Sequence, residues 1–375
     1  MAPISFLIAC LLAFTLEIFF SPPVSSSASL LSNSKYSSSM KDLIKLGEGC
    51  VNHPEDVSVV VRKGALYTAT RDGWVKYFIL HNETLVNWKH IDSNTFLGIT
   101  TTKEGDVIVC DTEKGLLKVS EAGVEVLDPN VRFTNDAIEA SNGSLYFTVS
   151  SKEYTPKEYY KDLVEGNPHG QLLKYDPESN ETTVLQEGFY FANGVALSED
   201  ESFVVVCESW EFRCRRYWLK GPDQGKLENF IEDLPGGPDN INLAPNGSFG
   251  VSFNFGYNVL ELYDENKILC LHFMNQTGVR AIQSCPDKWK LLEAYPELIN
   301  LLIPLGNDAG AQVVKVDTDG KIIKDFNDDN ATDISFVTSA VEFEDNLYMA
   351  SIQSKFVGKL PLNAPKAEMA PKATI

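Results

Sequence analysis

Basic side chains, histidines and metal-type cysteine pairs are all scarce in this chain. Its 375 residues include 32 Lys and Arg against 52 Asp and Glu, which gives a net charge of −20. A chain this acidic repels phosphate backbones, and we expect no nucleic acid partner. The five His and seven Cys include neither a Cys-x-x-Cys motif nor a His-flanked cysteine pair, which argues against zinc. The histidines also share no register, so no Ser-His-Asp set is indicated.

An apolar run of full transmembrane length is also missing. Residues 4–20 are largely apolar but contain Glu17, and 17 residues are few for a membrane-spanning helix. A Ser-rich stretch follows and predicts a signal peptide over residues 1–28, with cleavage near Ala28. A retained signal anchor is the alternative because no Lys or Arg precedes the run. We expect no stable membrane span unless that signal is retained.

Six Asn-x-Ser/Thr sequons support entry into the secretory pathway, where such asparagines are glycosylated. Ordinary composition gives roughly two or three by chance. The alternative is that Asn-Gly-Ser is simply favourable turn chemistry. The candidate glycosylation sites are Asn82, Asn142, Asn180, Asn246, Asn275 and Asn330.

A short strand signature recurs six times along the chain. Each copy starts at a turn residue, usually Gly, and continues as an apolar run: residues 64–69, 105–110, 143–148, 201–206, 247–252 and 345–350. Six copies predict an all-β fold, a six-bladed β-propeller over residues 45–362. A Ser-rich linker (residues 29–44) and a flexible tail (residues 363–375) are predicted to flank it. Because a closed propeller has no free sheet edge, we expect a monomer.

Oxygen-bearing side chains precede four of these copies at one register. Counting back eight or nine residues from the turn gives Glu55, Asn135, Asn193 and Asp239. Because equivalent positions of propeller blades converge on one axis, these side chains are predicted to meet there. Carboxylate and amide oxygens are the ligands that Ca²⁺ prefers, and no Cys or His shares the register. The pattern therefore predicts an axial calcium site, although each residue alone would be interpreted as a turn or strand cap.

Two long insertions interrupt the repeat. One spans residues 151–169 and contains three Tyr, and the other runs from about residue 254 to 310 with a helical pattern broken by Pro296. We expect short helices there that cap one mouth of the central channel, with simple padding of the rim as the alternative.

The cysteines that follow the predicted signal are even in number. Cys110 and Cys207 lie in apolar strands and are interpreted as buried thiols. Cys270 and Cys285 are close in sequence and are candidate partners, although connectivity does not follow from sequence.

Several motifs resemble the plant strictosidine synthase-like proteins and their animal relative, adipocyte plasma membrane-associated protein. These motifs are residues 171–177, 191–198, 207–210 and 234–241. Through this family the resemblance extends to the calcium-dependent six-bladed hydrolases, which include paraoxonases and gluconolactonases. It implies a catalytic calcium held by Glu55, Asn135, Asn193 and Asp239 and, as in paraoxonases, by Asn240. It also implies a plant secretory protein of the vacuole or the extracellular space, with the endoplasmic reticulum as an alternative.

Several residues depart from the family pattern, and they determine which catalytic mechanisms the resemblance implies for this chain. Strictosidine synthase relies on a Glu just before its last signature strand, and Thr338 stands at that position here. A Thr hydroxyl titrates far from neutral pH and cannot replace that acid–base group. The neighbouring His of the synthase falls on Phe336, and the paraoxonase His that aids lactone hydrolysis falls near Leu97. Neither mechanism is therefore implied intact.

The favoured function is a calcium-dependent hydrolase of small-molecule lactones, esters or phosphotriesters. Asp239 is the candidate general base or nucleophile while it still contacts the metal. Together with the insertion tyrosines, the candidate substrate-pocket residues are Leu97, His169, Trp210 and Thr338. Two alternatives stay open: a Pictet–Spengler-type condensing enzyme of alkaloid metabolism, and a non-catalytic propeller whose calcium is structural.

Overall fold

Antiparallel strands account for most of the computed structural model, which describes residues 37–255, 283, 289, 311–328 and 333–362. In chain order the strands are β1 (Ser37–Ser39), β2 (Ile44–Leu46), β3 (Val57–Val60), β4 (Ala65–Ala69), β5 (Trp74–Ile79), β6 (Thr84–His90), β7 (Phe96–Thr101), β8 (Val107–Asp111), β9 (Gly115–Val119), β10 (Val124–Asp128), β11 (Thr134–Glu139), β12 (Leu145–Val149), β13 (Gly170–Asp176), β14 (Glu181–Phe189), β15 (Ala192–Leu197), β16 (Phe203–Glu208), β17 (Arg213–Trp218), β18 (Leu227–Ile231), β19 (Gly237–Leu243), β20 (Phe249–Phe255), β21 (Ala311–Val316), β22 (Ile322–Asp328), β23 (Val337–Phe343), β24 (Asn346–Ser351) and β25 (Val357–Pro361).

The strands form six sheets around one axis. Blades one to four are β3–β6, β7–β10, β11–β14 and β15–β18, each in chain order. Blade five contains β19–β22 and blade six contains β23–β25, and each gains a strand from the N-terminal segment. The first strands of the blades contact one another in a closed ring and are therefore the inner strands. The predicted six-bladed propeller is confirmed, and the six predicted runs are the second strands of the blades: β4, β8, β12, β16, β20 and β24.

The N-terminal segment closes the ring. β2 pairs antiparallel with β25 as the outermost strand of blade six, with Ile44 opposite Lys359. β1 pairs in parallel with β22 on the outer edge of blade five, and the buried Met40 follows it. The sheets therefore begin at Ser37, inside the segment that was expected from its Ser content to be a linker up to residue 44. Composition misleads here because edge pairing uses backbone groups, and it covers a strand edge that would otherwise be open.

Burial between neighbouring blades explains why the second strands are almost continuously apolar. All residues of β8, β12 and β16 are buried, since each of these strands packs between two other blades. Between blades four and five the rings of Phe203, Phe230 and Phe249 pack with centroids 5.5 to 6.4 Å apart. Burying a side chain of this size contributes about 1.5–3 kcal/mol. These clusters hold the inner strands at fixed positions around the axis.

A disulfide lies inside blade four. Cys207 on β16 is directly opposite Cys214 on β17, and the two are bonded. The interpretation of Cys207 as a free thiol is wrong, because an apolar pattern does not reveal which residue of the next strand lies opposite. Cys110 is a buried free thiol, as predicted. The predicted partners Cys270 and Cys285 lie outside the described residues.

The two insertions leave the propeller from the same face. Each joins the second strand of a blade to the third, on the side where the inner strands begin, which we call the axial face. The first contains a 3-10 turn (Pro156–Glu158) and helix α1 (Tyr159–Glu165), and further 3-10 turns lie at Val61–Lys63 and Ser209–Glu211.

Other sequence predictions lie outside the described residues. These are the signal peptide or anchor, the C-terminal tail and, except for Gln283 and Trp289, the helical pattern of the second insertion. Within the described ranges, no helix has the length and apolar character needed to cross a membrane.

Candidate metal centre on the propeller axis

Four predicted ligands lie at the start of inner strands on the axial face. Glu55 precedes β3, Asn135 and Asn193 are in β11 and β15, and Asp239 is in β19. All four are at most 5% exposed. Asn240 Nδ2 donates a hydrogen bond to Glu55 Oε1 at 3.1 Å. This bond joins blades five and one, which are not neighbours in the ring, so residues from separate blades do converge on the axis.

A β-bulge sets three of these positions, Asn135, Asn193 and Asp239, apart from the regular ladder. The pairing of β11 with β12 is interrupted at Asn135, and the same irregularity occurs at Asn193 in β15 and at Asp239 in β19. A bulge re-aims a side chain that a regular strand would direct at the sheet face. Bulges in β7 and β23 occur at Leu97 and Thr338, the register positions of the remaining two blades.

Left-handed backbone precedes four of the six register positions. His53, Phe133, Phe191 and Phe336 have φ between 52° and 62°, and each stands two residues before its register position. For a bulky residue this conformation costs about 1–2 kcal/mol. Such strain persists where the surrounding structure fixes it, and it is concentrated at functional sites.

The amide nitrogens of the cluster are paired, whereas four of its oxygens are not. Asn135 Nδ2 donates to Ser150 Oγ at 2.8 Å, and Asn193 Nδ2 donates to Ser209 Oγ at 3.0 Å. Four buried oxygens have no hydrogen-bond donor: Glu55 Oε2, Asn135 Oδ1, Asn193 Oδ1 and Asn240 Oδ1. An unsatisfied buried polar group costs about 1–3 kcal/mol, so a set of four at one place calls for a ligand. Hard oxygen donors of this kind match the preference of Ca²⁺.

The charge of the cluster also fits a bound cation. Burial raises the pKa of Glu55 well above its usual range, and the nearby carboxylates of Asp239, Asp56 and Asp136 raise it further, with Arg71 opposing them. Burial likewise raises the pKa of Asp56 to about 6. Within the described part of the chain, no group of three or more His, Cys, Asp or Glu side chains is arranged to hold a metal. A site here would accordingly depend on amide oxygens beside its two carboxylates.

Two further carboxylates brace the ring and were not among the predicted site residues. Asp56 accepts the backbone N–H of Ile99 in blade two at 2.7 Å, and Asp136 accepts that of Val195 in blade four at 2.8 Å. Each therefore ties a position directly after a candidate ligand to the inner strand of the next blade. The available sequence signal was an Asp directly after a candidate ligand in two blades.

Thr338 and Leu97 complete the ring without supplying an acid. The Thr338 hydroxyl donates to the backbone carbonyl of Glu55 and so links blade six to blade one. Leu97 packs against a cluster that includes Phe133 and Phe191. The ring thus presents oxygens from blades one, three, four and five and an apolar side chain from blade two.

The predicted pocket residues Trp210 and His169 are linked through helix α1. Trp210 is buried against Phe191, with ring centroids 4.3 Å apart, and its Nε1 donates to Asp162 Oδ1 at 3.0 Å. His169 Nδ1 lies 2.9 Å from the other oxygen of Asp162. The fully buried Asp162 therefore fixes the first insertion against Trp210 of blade four.

Sequence similarity identifies the family of this chain. Strictosidine synthase-like 6 of Arabidopsis thaliana is 33% identical over 334 residues, which cover 84% of this chain and 81% of that protein. The chain belongs to the strictosidine synthase-like family. Strictosidine synthase-like 4 of the same plant is 32% identical over 335 residues, covering 84% of this chain and 81% of that protein. Residues 136–222 also match the strictosidine synthase family model. The resemblance inferred from the motifs is confirmed.

More distant similarities concern an animal relative and the fold. Adipocyte plasma membrane-associated protein of Salmo salar is 28% identical, covering 71% of this chain and 63% of that protein. A gluconolactonase from Xanthomonas campestris superposes with a TM-score of 0.56 at 13% identity, covering 85% of this chain and 89% of that one. Regucalcin from Agrobacterium tumefaciens, described as a calcium-binding protein, gives 0.55 at 12% identity, with 87% and 95% covered. At these identities the solved structures share the fold.

The sequons of this strictosidine synthase-like chain are accessible wherever the structure describes them. Asn82, Asn142, Asn180 and Asn246 are exposed, and the other two sequons lie outside the described residues. Family membership and a disulfide are consistent with the secretory pathway, where disulfides persist. Glycosylation and the final compartment stay predictions.

Proposed function

We propose that this strictosidine synthase-like protein is a calcium-dependent hydrolase of small lactones, esters or phosphotriesters. The observation that carries the proposal is the set of four buried, unpaired oxygens contributed by blades one, three, four and five. The same fold occurs in a gluconolactonase and in a protein described as calcium-binding, which supports this choice of chemistry.

The proposed roles follow from the donor set. Calcium, when bound, supplies a Lewis acid that polarises a carbonyl or phosphoryl oxygen. The unpaired oxygens of Glu55, Asn135, Asn193 and Asn240 are its proposed ligands, together with Asp239. Asp239 is also the proposed general base or nucleophile, because it and Glu55 are the two carboxylates at the ligand register. The register positions of the other four blades supply two amides, Leu97 and Thr338.

The two alternative functions differ in what supports them. A Pictet–Spengler condensation requires an acid–base group where Thr338 stands, and the Thr338 hydroxyl already donates to a backbone carbonyl. A purely structural calcium has one feature in its favour: the four unpaired oxygens belong to four different blades, which one bound ion would join. The choice between a catalytic and a structural calcium therefore requires a measurement.

Metal analysis combined with Asp239→Asn tests the proposal. We expect one Ca²⁺ per chain and a fall in melting temperature when a chelator removes it, because a ligand that binds only the native state stabilises it. The Asp239→Asn variant should fold and lose hydrolysis of a lactone and aryl ester panel by at least about 100-fold, the scale of general acid–base catalysis. Melting that ignores the chelator would contradict the calcium site. A variant that loses stability while no hydrolysis is found in the wild type would favour the structural alternative.

Ser209→Ala should weaken calcium binding through Asn193. The buried Ser209 Oγ accepts from Asn193 Nδ2 and donates to the carbonyl of Pro238 at 2.7 Å, so its loss frees the amide to rotate. Outer-shell changes of this kind cost about 10- to 100-fold in metal affinity. Isothermal titration with Ca²⁺ measures the effect. Ser198→Ala is the matched control, because Ser198 is a buried serine at the other end of the same blade, bonded to Phe203. Equal affinities in the two variants would contradict the role of Ser209.

A further inference from the structure

Arg71 lies on the axial face close to the candidate metal centre. It stands in the turn between β4 and β5, and β4 runs back antiparallel to β3, so this turn returns to the face where Glu55 lies. The backbone N–H of Arg71 donates to the carbonyl of Asn52, three residues before Glu55, at 2.9 Å. Its guanidinium Nη1 donates to the carbonyl of Asn94, between blades one and two, at 3.2 Å. The side chain therefore lies at the rim between blades one and two.

Among the described residues, no carboxylate lies within ion-pairing distance of Arg71, although the fields of Glu55 and Asp111 both act on it. It is partly buried, and burial lowers its pKa. Arg and Lys side chains that leave water are usually paired. Of the residues that the structure describes, only Asn94 engages a guanidinium donor of Arg71, so the rest of the hydrogen-bonding fork has no described acceptor.

Lys76, on the strand that follows the β4–β5 turn, is a buried cation with partners inside the fold. The Lys76 ammonium is almost fully buried, pairs with Asp72 at 3.2 Å and donates to the carbonyl of Cys50 at 2.7 Å. Lys76 is therefore satisfied within the fold. Arg71, five residues earlier, has no carboxylate partner among the described residues, and it lies between blade one and blade two, whose register position is Leu97.

We propose that Arg71 binds an anionic group of the substrate, a carboxylate or a phosphate, beside the axial site. This inference rests on the proposed function and narrows its substrates to molecules that carry such a group apart from the bond to be cleaved. The planar guanidinium fork matches both anions in a bidentate geometry, which an ammonium does not. Because the net charge of −20 repels anions at long range, their recognition requires a local cation of this kind.

Binding of benzoate and of phenyl phosphate tests the assignment without requiring activity. Titration of the full chain, with and without Ca²⁺, should show at least one anion binding roughly 10- to 100-fold more weakly to Arg71→Gln, the range for hydrogen bonds to charged groups. Arg71→Lys should recover only part of the loss. Arg62→Gln is the matched control, because Arg62 is exposed in the β3–β4 turn of the same blade on the opposite face. Whichever anion depends on Arg71 identifies the group that it recognises.

Two measurements distinguish binding of a substrate anion by Arg71 from simple charge compensation of Glu55. They are the affinity for Ca²⁺ and the preference for a charged ester over its neutral analogue. Arg71→Gln should bind Ca²⁺ several-fold more tightly, since it removes a cation near Glu55, and should raise KM for a carboxylate-bearing ester but not for its neutral analogue. Unchanged binding of both anions in Arg71→Gln overturns the inference, whatever happens to Ca²⁺ affinity. Absence of all hydrolysis with intact Arg71-dependent anion binding would overturn the hydrolase proposal alone.

Discussion

Replacing Glu55 by Gln is expected to abolish the calcium response while making the metal-free protein more stable. The amide keeps the shape of the side chain and an acceptor for Asn240. It removes a charge that burial and three nearby carboxylates disfavour, which is why the pKa of Glu55 is raised. Affinity for Ca²⁺ should fall by more than about 100-fold, beyond the range for outer-shell changes. Titration calorimetry and melting with and without chelator measure both effects.

The pH dependence of calcium binding should become weaker with the same substitution, because Asp239 stays as the other carboxylate at the ligand register. Because the folded-state pKa of Glu55 is raised, its ionised form costs the metal-free protein stability as the pH rises above the unfolded value, about 4.3. Protons therefore compete with Ca²⁺ for the Glu55 carboxylate. The wild-type affinity for Ca²⁺ should fall as the pH is lowered from the raised folded-state pKa of Glu55 towards the unfolded value. Glu83→Gln is the control, because Glu83 pairs with Lys359 at the surface. If Glu55→Gln binds Ca²⁺ like the control, Glu55 is not a ligand.

Gly194→Ala should destabilise the propeller severely. A Cβ at this position would lie 2.5 Å from the backbone N of Ile241, 2.6 Å from Asn240 Cα and 2.7 Å from the carbonyl of Asp239. These are backbone atoms of the next inner strand, which cannot move aside as a flexible side chain would. We expect a loss in unfolding free energy at or above the upper end of the usual overpacking range, about 1–3 kcal/mol.

Gly250→Ala provides the matched comparison. A Cβ at Gly250 in β20 would meet its nearest neighbour, the carbonyl of Ala340, at 3.5 Å, which is ordinary contact. Chemical denaturation of the two variants beside the wild type measures the difference. Similar midpoints would show that the inner strands do not approach as closely as described. Any Gly194→Ala protein that folds should also bind Ca²⁺ weakly, since Asp239 and Asn240 would be displaced.

The repeated strand signature allowed both the fold and the positions of the candidate ligands to be predicted from sequence. The strand signatures at residues 64–69 and 143–148 repeat one local pattern, and a propeller converts a shared register into convergence on one axis. For that reason Glu55, Asn135, Asn193 and Asp239 could be selected together. Whether they bind calcium, and whether Asp239 is catalytic, stays a prediction.

The features that sequence did not reveal depend on contacts between separate segments. Ser150 and Ser209 fix the Asn amides only because the strand pairs bring them back 15 and 16 residues later. The Cys207–Cys214 bond depends on the register of two strands, and the pairing of Ser37 with Asp325 joins segments far apart in the chain. No local pattern contains that information. A polar residue 15 or 16 positions after each Asn was the one signal available.

The pairing of Ile44 with Lys359 has a kinetic consequence. Blade six combines β2, from the start of the propeller, with β23–β25 from its end. It therefore cannot be completed until β25 has been synthesised. During translation the earlier blades can form in order, but the ring stays open until β25 emerges. Contacts between such distant segments slow folding, since the chain must lose loop entropy before they form. The axial oxygens of blades one and five are therefore expected to come together only when the ring closes, after β25 has been synthesised.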